Sequence, residues 1–357
     1  MAERIRRDAG RMALRARNGL KYAAGIDRPK VGLTPKDTVW KDGKVELWRY
    51  RNVGIRYRPP LLMVHSLVSK SYVLDLYPGN SFIERFLGAG FDVFLLDWGV
   101  PDAEDSTNTL ETYIDGYMRD ALRATLRVSG HDEASLLGYC FGGVLTLLFV
   151  ARYPELPVRN LLTMATPVDI KKVGLPALLF DEGRLEPDMI IDETGNVPPE
   201  VIYDGIKLLK PTADIAQYAR LWQFLWNDEY MEGLQAMGQW TRDHIPFPGA
   251  AFRQCVEMLF RENALVTDRV RLGGRPVHLK DITCPFLALI AEQDYVVPLE
   301  AAAPITSLVG SEEADELRLD AGHIGFVAGR QAAKENIPKI IDWLARHSDR
   351  LQRKEST

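Results

Sequence analysis

Ser135-Leu136-Leu137-Gly138-Tyr139-Cys140-Phe141-Gly142-Gly143-Val144-Leu145-Thr146-Leu147-Leu148-Phe149-Val150-Ala151-Arg152-Tyr153 reads as a short apolar strand, a turn at Cys140 and an apolar helix. An apolar run without alternation suits a strand buried on both faces, as in the middle of a parallel sheet. The same texture recurs on either side, at 61–66 (LLMVHS), 91–97 (FDVFLLD) and 286–291 (FLALIA), with further strands expected over 45–51, 134–138, 160–165 and 316–319. Helical patterns lie between them at 81–87, 110–127, 141–152 and 329–346. Strand alternating with helix argues for an α/β fold, a mostly parallel open sheet with helices on both faces.

The alternation stops over 167–281. That stretch carries Trp222, Phe224, Trp226, Tyr230, Trp240, Phe247, Phe252 and Phe260 among Pro/Gly turns, and has no clear strand. It reads as a mainly helical cap inserted over the sheet, its aromatic residues taken as packing first and as a ligand wall second. The expected organisation is a basic helical segment over 1–30, a first core part over 31–166, the cap over 167–281, a second core part over 282–347 and a polar, frayed tail over 348–357. In the first segment, over residues 1–24, Arg4, Arg6, Arg7, Arg11, Arg15, Arg17 and Lys21 face only Glu3 and Asp8. Its apolar residues are sparse, which fits a solvated or loosely docked helix, with a partner- or surface-binding helix as the alternative.

Composition sets the outer bounds. A chain of 357 residues with 46% hydrophobic and 26% charged residues holds a real core and is not disordered as a whole. Three cysteines cannot make a disulfide framework, and a net charge of -5 carries no nucleic-acid signature. The opening MAERIRRDAGRMALRAR lacks the apolar segment of a secretory signal. The longest uncharged stretch, 134–151, spans 18 residues and contains three glycines, so it makes a poor membrane span. The expectation is a cytoplasmic enzyme.

The chemistry begins at Gly138-Tyr139-Cys140-Phe141-Gly142-Gly143, a G-x-C-x-G box between strand and helix. This is the nucleophile elbow of the α/β-hydrolase fold with cysteine where serine is usual. A turn this sharp leaves no room for side chains two residues to either side, hence Gly138, Gly142 and Gly143. The following helix aims its positive end at the sulfur, which favours a thiolate. Such enzymes place nucleophile, acid and histidine in that chain order. Here FLALIAEQD ends a strand at Asp294, and LRLDAGHIG puts His323 in a loop beyond the next strand. Among six histidines, His131, His244, His278 and His347 lack such a context. Asp97 precedes the nucleophile, and Asp320 stands too close to His323. The oxyanion donors expected are the backbone N–H of Phe141 and that of Val68 or Leu67, with His65 shaping that turn. Cys255 and Cys284 read as buried free thiols. No Walker A, dinucleotide fingerprint, HExxH or CxxC is present, so no metal or cofactor is expected.

Cysteine narrows the reaction. A thiolate attacking an oxyester must expel a far more basic alkoxide, so the adduct returns to substrate. Attack on a thioester expels another thiolate, and the acyl-cysteine stays activated for an alcohol. The residues point to acyl transfer from a thioester such as an acyl-CoA.

Over about 32–345 the chain resembles the polyhydroxyalkanoate synthases, above all the short catalytic subunits of the class III type. The segments that carry the resemblance are GLTPKDTVW, ELWRYR, LDLYPGNS, DVFLLDWGVP, the GYCFGG box, LLTMATPVD, LKDITCP, EQDYVVP and GHIG. The chain differs from the family pattern at Tyr295, where histidine is common, and over 65–72. The resemblance implies polymerisation of (R)-3-hydroxyacyl-CoA, short-chain 3-hydroxybutyryl-CoA first, with CoA released. It maps Cys140 as acyl carrier, His323 as base and Asp294 as its carboxylate. It further implies a second synthase subunit or a homodimer, and a place in the cytoplasm at polyester granules. A hydroxyacyl-CoA thioesterase or polyester depolymerase is the alternative on the same scaffold, and a granule-associated or partner-binding subunit with little turnover is the alternative from another class.

Overall fold

The computed structural model describes residues 2–25, 29–52, 54–181, 184–210, 221–329 and 331–351. Its centre is an eight-stranded sheet: β1 (Lys36–Asp42), β2 (Val45–Tyr50), β3 (Leu61–Val64), β4 (Val93–Asp97), β5 (Ala134–Tyr139), β6 (Val158–Met164), β7 (Phe286–Ala291) and β8 (Ala314–Leu319). The spatial order is β1-β2-β4-β3-β5-β6-β7-β8. β1 and β2 form an antiparallel edge hairpin, β2 joins β4 antiparallel, and every pairing from β4 to β8 is parallel. β3 lies inside, with Leu61 opposite both Val93 and Ser135, and all four of its residues are buried. That double-sided burial explains its lack of alternation.

In chain order the main helices are α1 (Ala2–Ala23), α2 (Phe82–Ala89), α3 (Arg119–Ser129), α4 (Phe141–Arg152), then α5 (Leu175–Leu179), α6 (Pro199–Leu209), α7 (Asp228–Trp240) and α8 (Gly249–Cys255) between β6 and β7, and finally α9 (Ile337–Arg346). Residues of α3 and α4 pack with Leu62, Val64, Phe94 and Leu136 on one face of the sheet. Phe82, Ile83 and Phe86 of α2 and Ile340, Trp343 and Leu344 of α9 pack with Leu61, Met63, Val93 and Leu137 on the other. Odd and even strand residues thus serve opposite layers. The uncharged run 134–151 divides into buried strand β5 and the helix α4 of 12 residues. Among the described residues no helix is long and apolar enough to cross a membrane.

Two expectations need correction. The insertion contains two-residue antiparallel pairs, Asn196–Val197 with Phe247–Pro248 and Arg271–Leu272 with Arg275–Pro276, too short to leave a periodic signal. The tail is not frayed at its start: Asp349–Arg350 pairs with Tyr57–Arg58, and Leu351 N–H donates to the Arg56 carbonyl at 2.8 Å. The rest of the tail, 352–357, lies outside the described residues, as do 26–28 of the first segment. α1 packs on the insertion: Arg17 pairs with Asp228 at 2.5 Å, Asn18 donates to the Leu225 carbonyl at 2.9 Å, and the Arg11 guanidinium lies 4.3 Å from the centre of the Trp226 ring.

Candidate active site

At the carboxyl end of a parallel sheet the loops converge, and ligand sites gather there. β5 ends at Tyr139, α4 begins at Phe141, and Cys140 alone makes the turn, with φ 56° and ψ −123°. A positive φ is strained for a residue with a side chain, and such strain is kept where the surroundings over-determine it. Here Cys140 N–H donates to the Met164 carbonyl at 2.8 Å, and the Cys140 carbonyl accepts from Gly143 N–H at 2.9 Å. The glycines have the steric reason expected of them. A Cβ on Gly138 would strike the Thr146 hydroxyl, one on Gly142 the Val64 carbonyl, and one on Gly143 the Thr166 hydroxyl.

Asp294 and His323 come together from the loops after β7 and β8. His323 Nδ1 donates to Asp294 Oδ2 at 2.7 Å, and both residues are buried. The other carboxylate oxygen accepts the backbone N–H groups of Val296 and Val297 at 2.8 and 2.9 Å, which fixes the carboxylate plane. Tyr139 OH donates to the His323 carbonyl at 3.1 Å and holds the histidine loop against the end of β5. Cys140 is half-buried, and its thiol is one of the groups that act on His323. Burial alone would lower the His323 pKa; the Asp294 charge and hydrogen bond, with Cys140 beside it, outweigh burial and raise it to about 10. The rival acids are occupied elsewhere: Asp320 is exposed and accepts from Gln293, and Asp97 accepts the Ser71 hydroxyl and Gly99 N–H.

The loop after β3, which carries Val68, starts against the elbow. Trp98 Nε1 donates to the His65 carbonyl at 2.8 Å, and Gly142 packs directly under the Val64 and His65 backbone. Phe141 opens α4, so its N–H has no acceptor a turn back in the helix. His65 is buried, with Nε2 3.1 Å from the Ser69 hydroxyl, and desolvation lowers its pKa to about 3. Its ring is therefore neutral. Of the two remaining cysteines Cys255 is buried, whereas Cys284 is only partly so, and burial raises both thiols.

Sequence reasoning missed His244. Its Nδ1 lies 2.9 Å from the Val68 carbonyl, so the inserted segment touches the loop beside the nucleophile. No local motif marks it; the contact exists only after residues 176 positions apart are brought together.

Residues 59–187 match the family model of the alpha/beta hydrolase fold. Among solved structures, epoxide hydrolase A from Mycobacterium thermoresistibile superposes with a TM-score of 0.53 at 17% identity, over 89% of this chain and 99% of its own; this is a likeness of fold alone. The poly(3-hydroxyalkanoate) polymerase subunit PhaC of Allochromatium vinosum is 36% identical over 330 residues, 91% of this chain and 92% of its own. The subunit of that name from Thiocystis violacea is 32% identical over 333 residues, 92% and 93% of the two chains. With near full-length similarity at this level, and a cysteine elbow at the end of its central sheet, the chain belongs to the PhaC family of poly(3-hydroxyalkanoate) polymerase subunits.

Proposed function

We propose that this chain polymerises (R)-3-hydroxyacyl-CoA, short-chain units first, into polyester with release of CoA. The observation that carries the reading is the elbow cysteine together with a buried His323–Asp294 pair 2.7 Å apart, in a chain 36% identical to a polymerase subunit. Cys140 is the acyl carrier, His323 the proton-transfer group and Asp294 the group that orients and charges it. Asp294 stabilises the imidazolium that forms as His323 takes the thiol proton. The sulfur attacks the thioester carbonyl, the carbon–sulfur bond to CoA breaks, and His323 protonates the departing CoA thiolate. His323 then takes the proton of a 3-hydroxyl group as its oxygen attacks the acyl-cysteine, and the Cys140 thiolate is released. The N–H groups of Phe141 and Val68 hold the oxyanion in both steps.

Residues 167–281 act as the cap, excluding the water that would otherwise hydrolyse the acyl-enzyme. A second synthase subunit of the class III type, a homodimer and the granule surface are the partners this reading implies, and the cytoplasm at polyester granules is the place. The test is CoA release from (R)-3-hydroxybutyryl-CoA with the product sized. Release should depend on Cys140, fall by more than about a thousandfold in Cys140→Ala, and accompany high-mass polyester. Cys140-dependent release that yields only free hydroxy acid would make the chain a thioesterase, and undiminished release by Cys140→Ala would remove the cysteine mechanism.

A further inference from the structure

Both residues that carry the assigned oxyanion donors are touched by one short stretch of the cap. On the first side, His244 Nδ1 lies 2.9 Å from the Val68 carbonyl, Ile245 N–H donates to the same oxygen at 3.3 Å, and Ser69 and His244 form an isolated antiparallel bridge. On the second side, the Phe247 ring meets the Phe141 ring edge-on, with centroids 5.8 Å apart. Trp240 Nε1 donates to the Lys70 carbonyl at 2.8 Å and pins the start of the stretch. A carbonyl oxygen only accepts, so His244 Nδ1 carries a hydrogen. Burial lowers the pKa of this half-buried ring, and a neutral ring protonated on Nδ1 still donates.

We infer that cap residues 244–247 are a positioning element for the oxyanion site: His244 holds the Val68 carbonyl, one peptide past the Val68 N–H, and Phe247 packs on the Phe141 ring, so the cap sets where the two residues that carry the N–H donors sit. The inference rests on the functional reading above, because it assigns these residues a task in stabilising the tetrahedral oxyanion. Neither side chain is a catalytic residue; His244 acts through the Val68 carbonyl and Phe247 through the Phe141 ring. Oxyanion stabilisation depends on donor placement within a fraction of an ångström, so loosening one peptide lowers turnover far more than it lowers binding.

The experiment compares wild type, His244→Ala, His244→Asn and Phe247→Ala in (R)-3-hydroxybutyryl-CoA turnover, alongside the rate of Cys140 alkylation by iodoacetamide followed on its peptide mass. Asparagine puts an N–H donor close to where Nδ1 stood. Alkylation needs the sulfur and His323 but forms no oxyanion. His244→Ala should lower kcat about ten- to a hundredfold with KM within about twofold, leave alkylation unchanged, and be largely rescued by His244→Asn. Phe247→Ala should repeat the split more weakly. Wild-type kcat in His244→Ala overturns the inference. So does a parallel fall of turnover and alkylation with no rescue by asparagine, the mark of general disruption. If wild type alkylates at Cys140 yet releases no CoA, the functional reading itself has failed and the positioning role falls with it.

Discussion

Two buried histidines sit against the same Tyr139 ring and behave in opposite ways. His65, in the loop after β3, has its ring centroid 5.9 Å from that of Tyr139; His323, after β8, lies 5.4 Å from it. Both are removed from water, which disfavours the imidazolium in each. His65 has the Ser69 hydroxyl, its Nδ1 has no partner among the described residues, and its pKa falls to about 3. His323 has the Asp294 carboxylate and Cys140, and its pKa rises to about 10. Burial alone silences a histidine; burial with a fixed carboxylate turns it into a strong base. What separates the two loops is one buried acid with both oxygens engaged.

The sharpest way to break the contrast is Asp294→Asn, which keeps the shape and removes the charge. His323 then becomes a second His65, buried without a carboxylate, and its pKa drops. The amide also offers a donor where the carboxylate accepted, which reverses the ring's tautomer. CoA release should fall about a thousand- to ten-thousandfold, as in triads stripped of the same charge. The stability profile changes as well. A histidine raised above its unfolded value of about 6.5 stabilises the fold fully below that pH, and the contribution is lost as pH rises toward about 10. Asp294→Asn should remove that alkaline loss, read from the melting temperature between pH 6 and pH 10. A variant with wild-type turnover would mean that His323 is not tuned by Asp294.

His65 supplies the mirror image at smaller scale. Its folded pKa is depressed, so its contribution is present above about pH 6.5 and is lost as pH falls toward about 3. His65→Gln keeps an N–H near Nε2 for Ser69 and removes the titration. Its kcat should stay within about threefold, since no proton is moved by this ring. Its melting temperature should fall less than the wild type's between pH 7.5 and pH 5, by roughly 2–3 °C for a chain of this size. Identical acid profiles for the two proteins would show that the buried ring is already charged.

The contrast also explains what was legible in the sequence. Cys140, Asp294 and His323 each stand at the end of a strand in a local pattern, and chain order supplies the rest. β3, β5 and β7 were legible because burial on both faces leaves a continuous apolar run. β1 was not, because an edge strand reading Lys36-Asp37-Thr38-Val39-Trp40-Lys41-Asp42 is largely solvated and looks like a loop. His244 was passed over because its value lies in reaching Val68, and nothing in neighbouring residues records that. The contacts that dock α1 were hidden for the same reason: Arg17 and Asn18 give no sign of their partners until residues 225–228 are placed beside them.

That docked helix extends the rule from charged rings to a neutral amide. Asn18 is 5% exposed, and its Nδ2 donates to the Leu225 carbonyl at 2.9 Å and to Asp228 at 2.8 Å. Arg17 reaches the same Asp228 from a position half-open to water, where an ion pair contributes little. If a buried polar group matters through its partners, the quiet asparagine outweighs the conspicuous arginine. Asn18→Ala leaves the Leu225 carbonyl unmatched, at a cost of about 1–3 kcal/mol to the docking of α1, whereas Arg17→Ala should cost under about 1 kcal/mol. Limited proteolysis within residues 2–23 reads the difference: cleavage should rise clearly for Asn18→Ala and little for Arg17→Ala, with Cys140 alkylation the same in both. A reversed order would mean that charge rather than buried hydrogen bonding fastens the helix to the cap.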